Sequence, residues 1–189
     1  MNVIGISGSP RRGGNSETLL DEALKGAKAG GAKIEKLVLN ELVFEPCQEC
    51  EKPQDEGYCL IDDGMSLVYE KVMGSGVVVV ASPVFFGSVS AQTKMMVDRF
   101  QCLWRQRFLT GSRMEVTPKK GVFIAVSDAG REQCFKDSGR VMRNFFTTIG
   151  AVLFEELFVP GLRDKGDVSR VGDVFLRRAA DIGTRIVEG

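Results

Sequence analysis

Histidine is absent from all 189 residues. Its absence removes Ser-His-Asp and Cys-His nucleophilic machinery and every His-ligated metal site, so in an enzyme the difficult chemistry is expected to fall to a bound cofactor. Neither sign of charge is in excess, 25 Lys and Arg balancing 25 Asp and Glu, and no net field draws the chain to nucleic acid or to an anionic membrane. Long hydrophobic runs are missing too. The longest, Val77-Val78-Val79-Val80-Ala81, is far short of the roughly 20 residues that span a bilayer. Met1 leads at once into an apolar stretch without a basic n-region or signal core, and a cytoplasmic protein is expected. Cysteine is sparse and odd in number, five, which argues against a secreted disulfide framework. Cys102 and Cys134 fall in helical patterns and read as small core residues.

What is present is an alternation of strand and helix patterns along the whole chain. Residues 3–7 read as strand 1, and Leu19, Leu20, Ala23, Leu24 and Ala27 stripe helix 1, which ends at Gly30-Gly31. Residues 33–39 alternate as strand 2. An irregular segment, residues 41–62, carries three cysteines. Met65, Val68, Tyr69 and Val72 mark a short helix 2. The β-branched run at 77–81 is strand 3, apolar enough to be buried on both faces. Val89, Met96, Val97, Phe100, Leu103 and Trp104 stripe helix 3; residues 120–127 are strand 4. Phe135 to Ile149 give helix 4, residues 151–159 strand 5, and Val168 to Ile186 the last helix. One domain, residues 1–189, is expected: α/β, with a five-stranded parallel sheet and helices on both faces. In such sheets ligands bind beyond the carboxyl ends of the strands, where strand order reverses; the order 2-1-3-4-5 brings the loops after strands 1 and 3 together.

Those two loops are the most unusual in the chain. After strand 1 comes Ser7-Gly8-Ser9-Pro10-Arg11-Arg12-Gly13-Gly14-Asn15-Ser16-Glu17-Thr18. Gly8 and Gly13 have P-loop spacing, but Gly14 stands where the lysine of that motif belongs. The dinucleotide fingerprint fails as well, with Pro10 in place of its last glycine. A hydroxyl-rich cup with Arg11 and Arg12 as charge partners suits a terminal monophosphate; the plainer alternative is a turn with Asn15 or Ser16 as N-cap. After strand 3, Pro83-Val84-Phe85-Phe86-Gly87 replaces the polar residues of a solvated turn. A flat ligand would give the two rings a partner, with one of them sealing the core beneath. Asp128, after strand 4, either borders the same crevice or caps the next turn.

Gly5-x-Ser7-Gly8-Ser9-Pro10-Arg11 with Asn15-Ser16, then Asp62-Asp63-Gly64-Met65, then Ser82 to Ser88, then Lys94-x3-Asp98-Arg99, together resemble the NADPH-dependent FMN reductase/iron–sulfur flavoprotein family over the first two-thirds of the chain. The resemblance implies a flavodoxin-like fold, FMN as cofactor and NAD(P)H as electron donor. It places the FMN phosphate in the first loop and the isoalloxazine against the second. Taken with the reading of the loops, the expected cofactor-binding set is Ser7, Ser9, Pro10, Arg11, Asn15, Ser16, Glu17, Thr18, Pro83, Val84, Phe85, Phe86, Gly87 and Asp128. Many relatives carry a tyrosine where Phe85 stands, so stacking is kept and a hydroxyl lost.

Cys47-x2-Cys50-x8-Cys59 resembles the cluster-binding stretch of iron–sulfur flavoproteins, yet Pro53 occupies the place of a fourth thiolate. A [4Fe–4S] cluster takes four cysteines. A cluster with an unusual ligand, a three-thiolate zinc site and a metal-free loop with residual thiols all stand, and the last is favoured, with Cys47 and Cys50 able to form a redox dithiol. The leading expectation is an FMN-dependent oxidoreductase that passes electrons from NAD(P)H to a small acceptor: a quinone, nitro compound, iron chelate or flavin. A non-catalytic electron carrier and a redox-inactive nucleotide-binding protein are the alternatives. No nucleic acid or membrane partner is expected. The stretch Leu103-Trp104-Arg105-Gln106-Arg107-Phe108 has interface character, and relatives are commonly dimers, so a homodimer or higher homo-oligomer is expected; Trp104 buried in its own core is the alternative.

Overall fold

The computed structural model describes residues 1–50, 59–108, 118–171 and 173–188. Helices and strands alternate as β1 (Asn2–Ser7), α1 (Asn15–Ala29), β2 (Lys33–Val38), α2 (Met65–Met73), β3 (Val77–Phe85), β4 (Ser88–Val89), α3 (Ala91–Arg99), α4 (Gln101–Phe108), β5 (Lys119–Val126), α5 (Lys136–Thr148), β6 (Ala151–Val159), α6 (Asp167–Arg170) and α7 (Val174–Glu188). The sheet order is β2-β1-β3-β5-β6, with every pair parallel, and β4 attaches antiparallel to β3.

Two hydrophobic cores lie on opposite faces, and the two-residue period of each strand divides its side chains between them. Ile4, Ile6, Val78, Val80, Phe123 and Ala125 pack with Met65, Val68, Met96, Phe100 and the phenylalanines of α5. Val3, Val77, Val79, Ala81, Val122 and Ile124 pack with the apolar faces of α1 and α7. This double burial explains why strand 3 reads as an unbroken apolar run. The α1–α7 contact is backbone-close: a Cβ on Gly26 would stand 1.9 Å from the Ala180 carbonyl oxygen, and one on Gly183 as close to that of Ala23. Only glycine permits that approach.

The expected five-stranded order 2-1-3-4-5 needs correction, because six strands are present among the described residues. β3 runs on through Phe85 and folds back, pairing Val84 with Val89 and Phe85 with Ser88. The two turn residues, Phe86 (φ 50°) and Gly87 (φ 76°), are both left-handed, the conformation of a two-residue type I′ hairpin. Phenylalanine is a poor marker of such a turn, so the sequence reads as loop there. Val89, expected in helix 3, is accordingly a buried strand residue. The expected helix 3 is also two helices, broken at Phe100, whose ring is held between Tyr69 and Phe145 at centroid distances of 4.9 and 5.1 Å. The last helix likewise divides into α6 and α7. Cys102 and Cys134, expected in the core, are only partly buried. Among the described residues no helix is long and apolar enough to cross a membrane.

Candidate functional site

The loop after β1 is set by hydrogen bonds rather than by packing. Gly8 donates its amide to the Ala81 carbonyl and accepts from the buried Ser90 hydroxyl, which also caps α3 by accepting from the Thr93 amide. The Ser9 hydroxyl closes a small turn, donating to the Arg11 carbonyl and accepting from the Arg11 amide. Gly14 is the N-cap of α1, not Asn15 or Ser16 as the plainer alternative had it, and offers no side-chain cap. The first-turn amides of α1 therefore stay open at the end that carries the positive pole of the helix.

These amides open onto a cavity of about 210 Å³ beyond the carboxyl ends of β1, β3, β5 and β6. Ser9, Pro10, Arg11, Asn15 and Ser16 line it from the first loop, Pro83, Val84 and Phe85 from the second, and Asp128 from the third. All nine were expected. Five others among the expected residues do not line it: Ser7, Glu17, Thr18, Phe86 and Gly87. Ser7 is wholly buried at the end of β1, its hydroxyl without a hydrogen-bond partner. The Thr18 hydroxyl donates back to the Gly14 carbonyl within the helix. Phe86 is fully exposed at the hairpin tip and Phe85 is half exposed. The expectation that one phenylalanine seals the core is therefore wrong; the alternation of β3 sends the buried Val84 inward instead.

Glu17 acts behind the loop. Its carboxylate accepts from the Gly13 amide at 2.7 Å, from Arg12 at 2.6 Å and from Lys36 at 3.1 Å. Burial opposes its ionisation, but the Gly13 amide and the two cations outweigh burial and hold the carboxyl below the usual glutamate range. Arg12 also pairs with Glu41 at 2.9 Å. Arg12 is thus a neutralised strut, and Arg11 is the loop's cation on the cavity.

Sequence reasoning missed one wall entirely. Leu162, Arg163 and Lys165, from the loop after β6, line the cavity together with Val126 and Gly14. Asn15 holds that loop in place. Its Nδ2 donates to the Asp164 carbonyl, and its Oδ1 accepts from the amides of Gly166 and Val168. The available signal was the cationic stretch Arg163-Asp164-Lys165 directly after a strand end, the place where α/β sheets bind ligands.

Two separate marks of the family resemblance, Asp63 and Arg99, form one buried ion pair. Arg99 donates to Asp63 at 2.6 and 3.0 Å and to the carbonyls of Glu45 and Ile61, while Asp63 accepts from the amides of Glu45 and Met65. The pair thereby clamps both ends of the cysteine segment. Burial opposes ionisation of Asp63, but Arg99 and the two amides hold its carboxyl below the usual aspartate range. The clamp leaves Cys59 within side-chain reach of the Arg99 guanidinium. Residues 51–58, including Pro53, lie outside the described residues. Among the described residues no three Cys, His, Asp or Glu side chains converge on a metal position, and three thiols do not make the four-cysteine donor set of a [4Fe–4S] cluster. Trp104, offered as an interface residue, is about one-third exposed and tilts against Phe108 at 5.9 Å.

A family model described as NADPH-dependent FMN reductase matches residues 1–159. An iron–sulfur flavoprotein of Archaeoglobus fulgidus is 30% identical over 191 residues, covering 100% of this chain and 80% of that protein. One from Methanosarcina thermophila is 38% identical over 108 residues, or 57% of this chain and 56% of that protein, so the match spans about half of that relative. Among solved structures, a flavone reductase superposes with a TM-score of 0.77 at 21% identity, covering 100% of this chain and 62% of that one. At that identity the likeness is one of fold.

Proposed function

The chain belongs to the NADPH-dependent FMN reductase family, and from that premise we propose that it is an FMN-dependent oxidoreductase that transfers electrons from NAD(P)H to a small acceptor. One observation carries the reading. An uncapped helix N-terminus and an exposed aromatic hairpin face each other across a single cavity. The first suits a phosphate; the second suits a flat ring. The cavity, at about 210 Å³, is smaller than the roughly 300–1,000 Å³ of most cofactor sites, which fits a ligand that leaves its ring at the rim, against Phe85.

When bound, FMN supplies hydride acceptance and onward electron transfer. The residues of this chain bind and orient it. The α1 amides, Ser16 and Arg11 would hold the phosphate, and Phe85, with Phe86 at the hairpin tip, would cover apolar ring surface. Among the described residues the cavity wall carries one carboxylate, the exposed Asp128, and the chemistry we propose is the flavin's. The acceptor class we propose is a quinone, nitro compound, iron chelate or flavin small enough to stack on the exposed ring face.

The test is an absorbance spectrum followed by anaerobic titration of the FMN-loaded protein with NADPH and with NADH. Bleaching of the yellow colour by either nucleotide, and its return on adding a quinone, is the expected result. A preparation that binds FMN but is bleached by neither refutes the reductase reading. A brown preparation with stoichiometric iron would replace it with an electron carrier.

A further inference from the structure

The loop after β1 carries glycine at position 14, where a P-loop would carry its lysine, and one of its two arginines is neutralised by Glu17 and Glu41. A lysine nevertheless lies across this loop. The Lys165 Cε and Nζ stand 3.3 and 3.4 Å from the point that a Cβ on Gly13 would occupy. We propose that Lys165, brought from the far end of the sheet, supplies a second phosphate-binding cation beside Arg11, in place of the lysine that the loop lacks. This inference rests on the mononucleotide reading above and adds to it a ligand from beyond the residues matched by the family model, which end at 159.

Three features fit Lys165 for that task. Its ammonium has no carboxylate partner among the described residues, whereas Arg12 beside it has two. It borders the same cavity as Arg11 and Arg163, with Asp128 the one carboxylate on the wall among the described residues, so the local field favours an anion. Its backbone is also held. Asn15, the first residue of α1, commits both ends of its side-chain amide to the backbone of residues 164–168, and the Asp167 carboxylate accepts from the amides of Arg163 and Asp164. Asn15 is thus a positioning residue, acting on the phosphate through the loop that it latches. Gly13, at φ +62°, has no side chain to stand where the lysine lies.

The test compares FMN with riboflavin, which lacks the phosphate, by quenching of flavin fluorescence in the full chain. Lys165 is exposed, so Lys165→Gln should fold as wild type does; Lys28→Gln, an exposed lysine in the last turn of α1, controls for the change in net charge. A charge-assisted hydrogen bond at the surface predicts roughly tenfold weaker FMN binding in Lys165→Gln with riboflavin unchanged. Lys165→Arg should retain most of the preference, and Lys28→Gln all of it. Asn15→Leu should reduce the FMN preference as Lys165→Gln does, and the double variant should lose little more than either single one. An unaltered FMN-to-riboflavin ratio in Lys165→Gln overturns the proposal, as does an equal loss for both flavins. A wild-type protein that binds neither flavin removes the mononucleotide reading itself, and the proposal with it.

Discussion

Replacing Asp63 with asparagine isolates the consequence of enclosing Arg99. The arginine side chain has no solvent exposure and that of Asp63 has 12%, so the pair sits in the interior and not on the screened surface. Asparagine keeps the shape of aspartate and leaves the guanidinium without a counter-charge. Breaking a buried pair from one side costs about 3–5 kcal/mol. Arg99 keeps its bonds to the carbonyls of Glu45 and Ile61, so the low end, about 3 kcal/mol, is expected. Arg99→Met should cost less, about 2 kcal/mol, because methionine follows the apolar stem and Asp63 still receives two backbone amides. Each loss contains the same broken interaction, so the double variant should fall short of their sum by about 2 kcal/mol. Urea unfolding of the four proteins at pH 7 measures this. Losses that add to within about 0.5 kcal/mol would mean that the two residues act independently and that the clamp is not an energetic unit. Acid provides a second check. Because the native Asp63 carboxyl lies below its ordinary value, the stability it confers is complete above pH about 4 and is lost as pH falls through the lower native value. Asp63→Asn should flatten that acid limb.

Two further outcomes bear on the cavity. Gly8→Ala would put a methyl 1.8 Å from the Thr93 hydroxyl oxygen and 3.3 Å from the Ala81 carbonyl oxygen, breaking two or three buried hydrogen bonds at about 1 kcal/mol each. A loss of about 2–3 kcal/mol in urea unfolding and faster FMN release are expected, with partial recovery in Gly8→Ala/Thr93→Ala; wild-type stability in the single variant would refute the tight setting of this loop. Phe86→Asn places a left-handed-tolerant residue at φ 50° and removes an exposed ring. It should raise stability by about 1 kcal/mol while weakening FMN and riboflavin equally; unchanged affinity for both would show that the ring at the hairpin tip has no ligand contact.

Local pattern is dictated by sequence, and it specified much here. Residues 77–81 could only be a doubly buried strand, since no polar residue interrupts the run to mark a wet face. Glycine, serine and arginine after β1 marked an anion cup, because those residues free backbone amides and supply donors wherever the chain goes next. Nine of the fourteen expected cofactor-site residues line the cavity, five of them from this loop. Helix ends were less legible: nothing in the apolar stripe announced the break at Phe100, which reflects where Tyr69 and Phe145 hold its ring.

Tertiary structure alone decided which charges are satisfied and which are left over. Arg11 and Arg12 are adjacent and chemically alike in the sequence, but one finds Glu17 and Glu41 while the other faces the cavity. Asn15 reads as a cap or a phosphate ligand, yet its amide is taken by backbone about 150 residues away. Lys165 reads as an ordinary surface lysine until the packing of α7 on α1 and the parallel course of β6 bring its loop over Gly13. Hydrogen bonds and ion pairs act over a few ångströms with no regard for separation along the chain, so their partners become known only once the strands have been ordered.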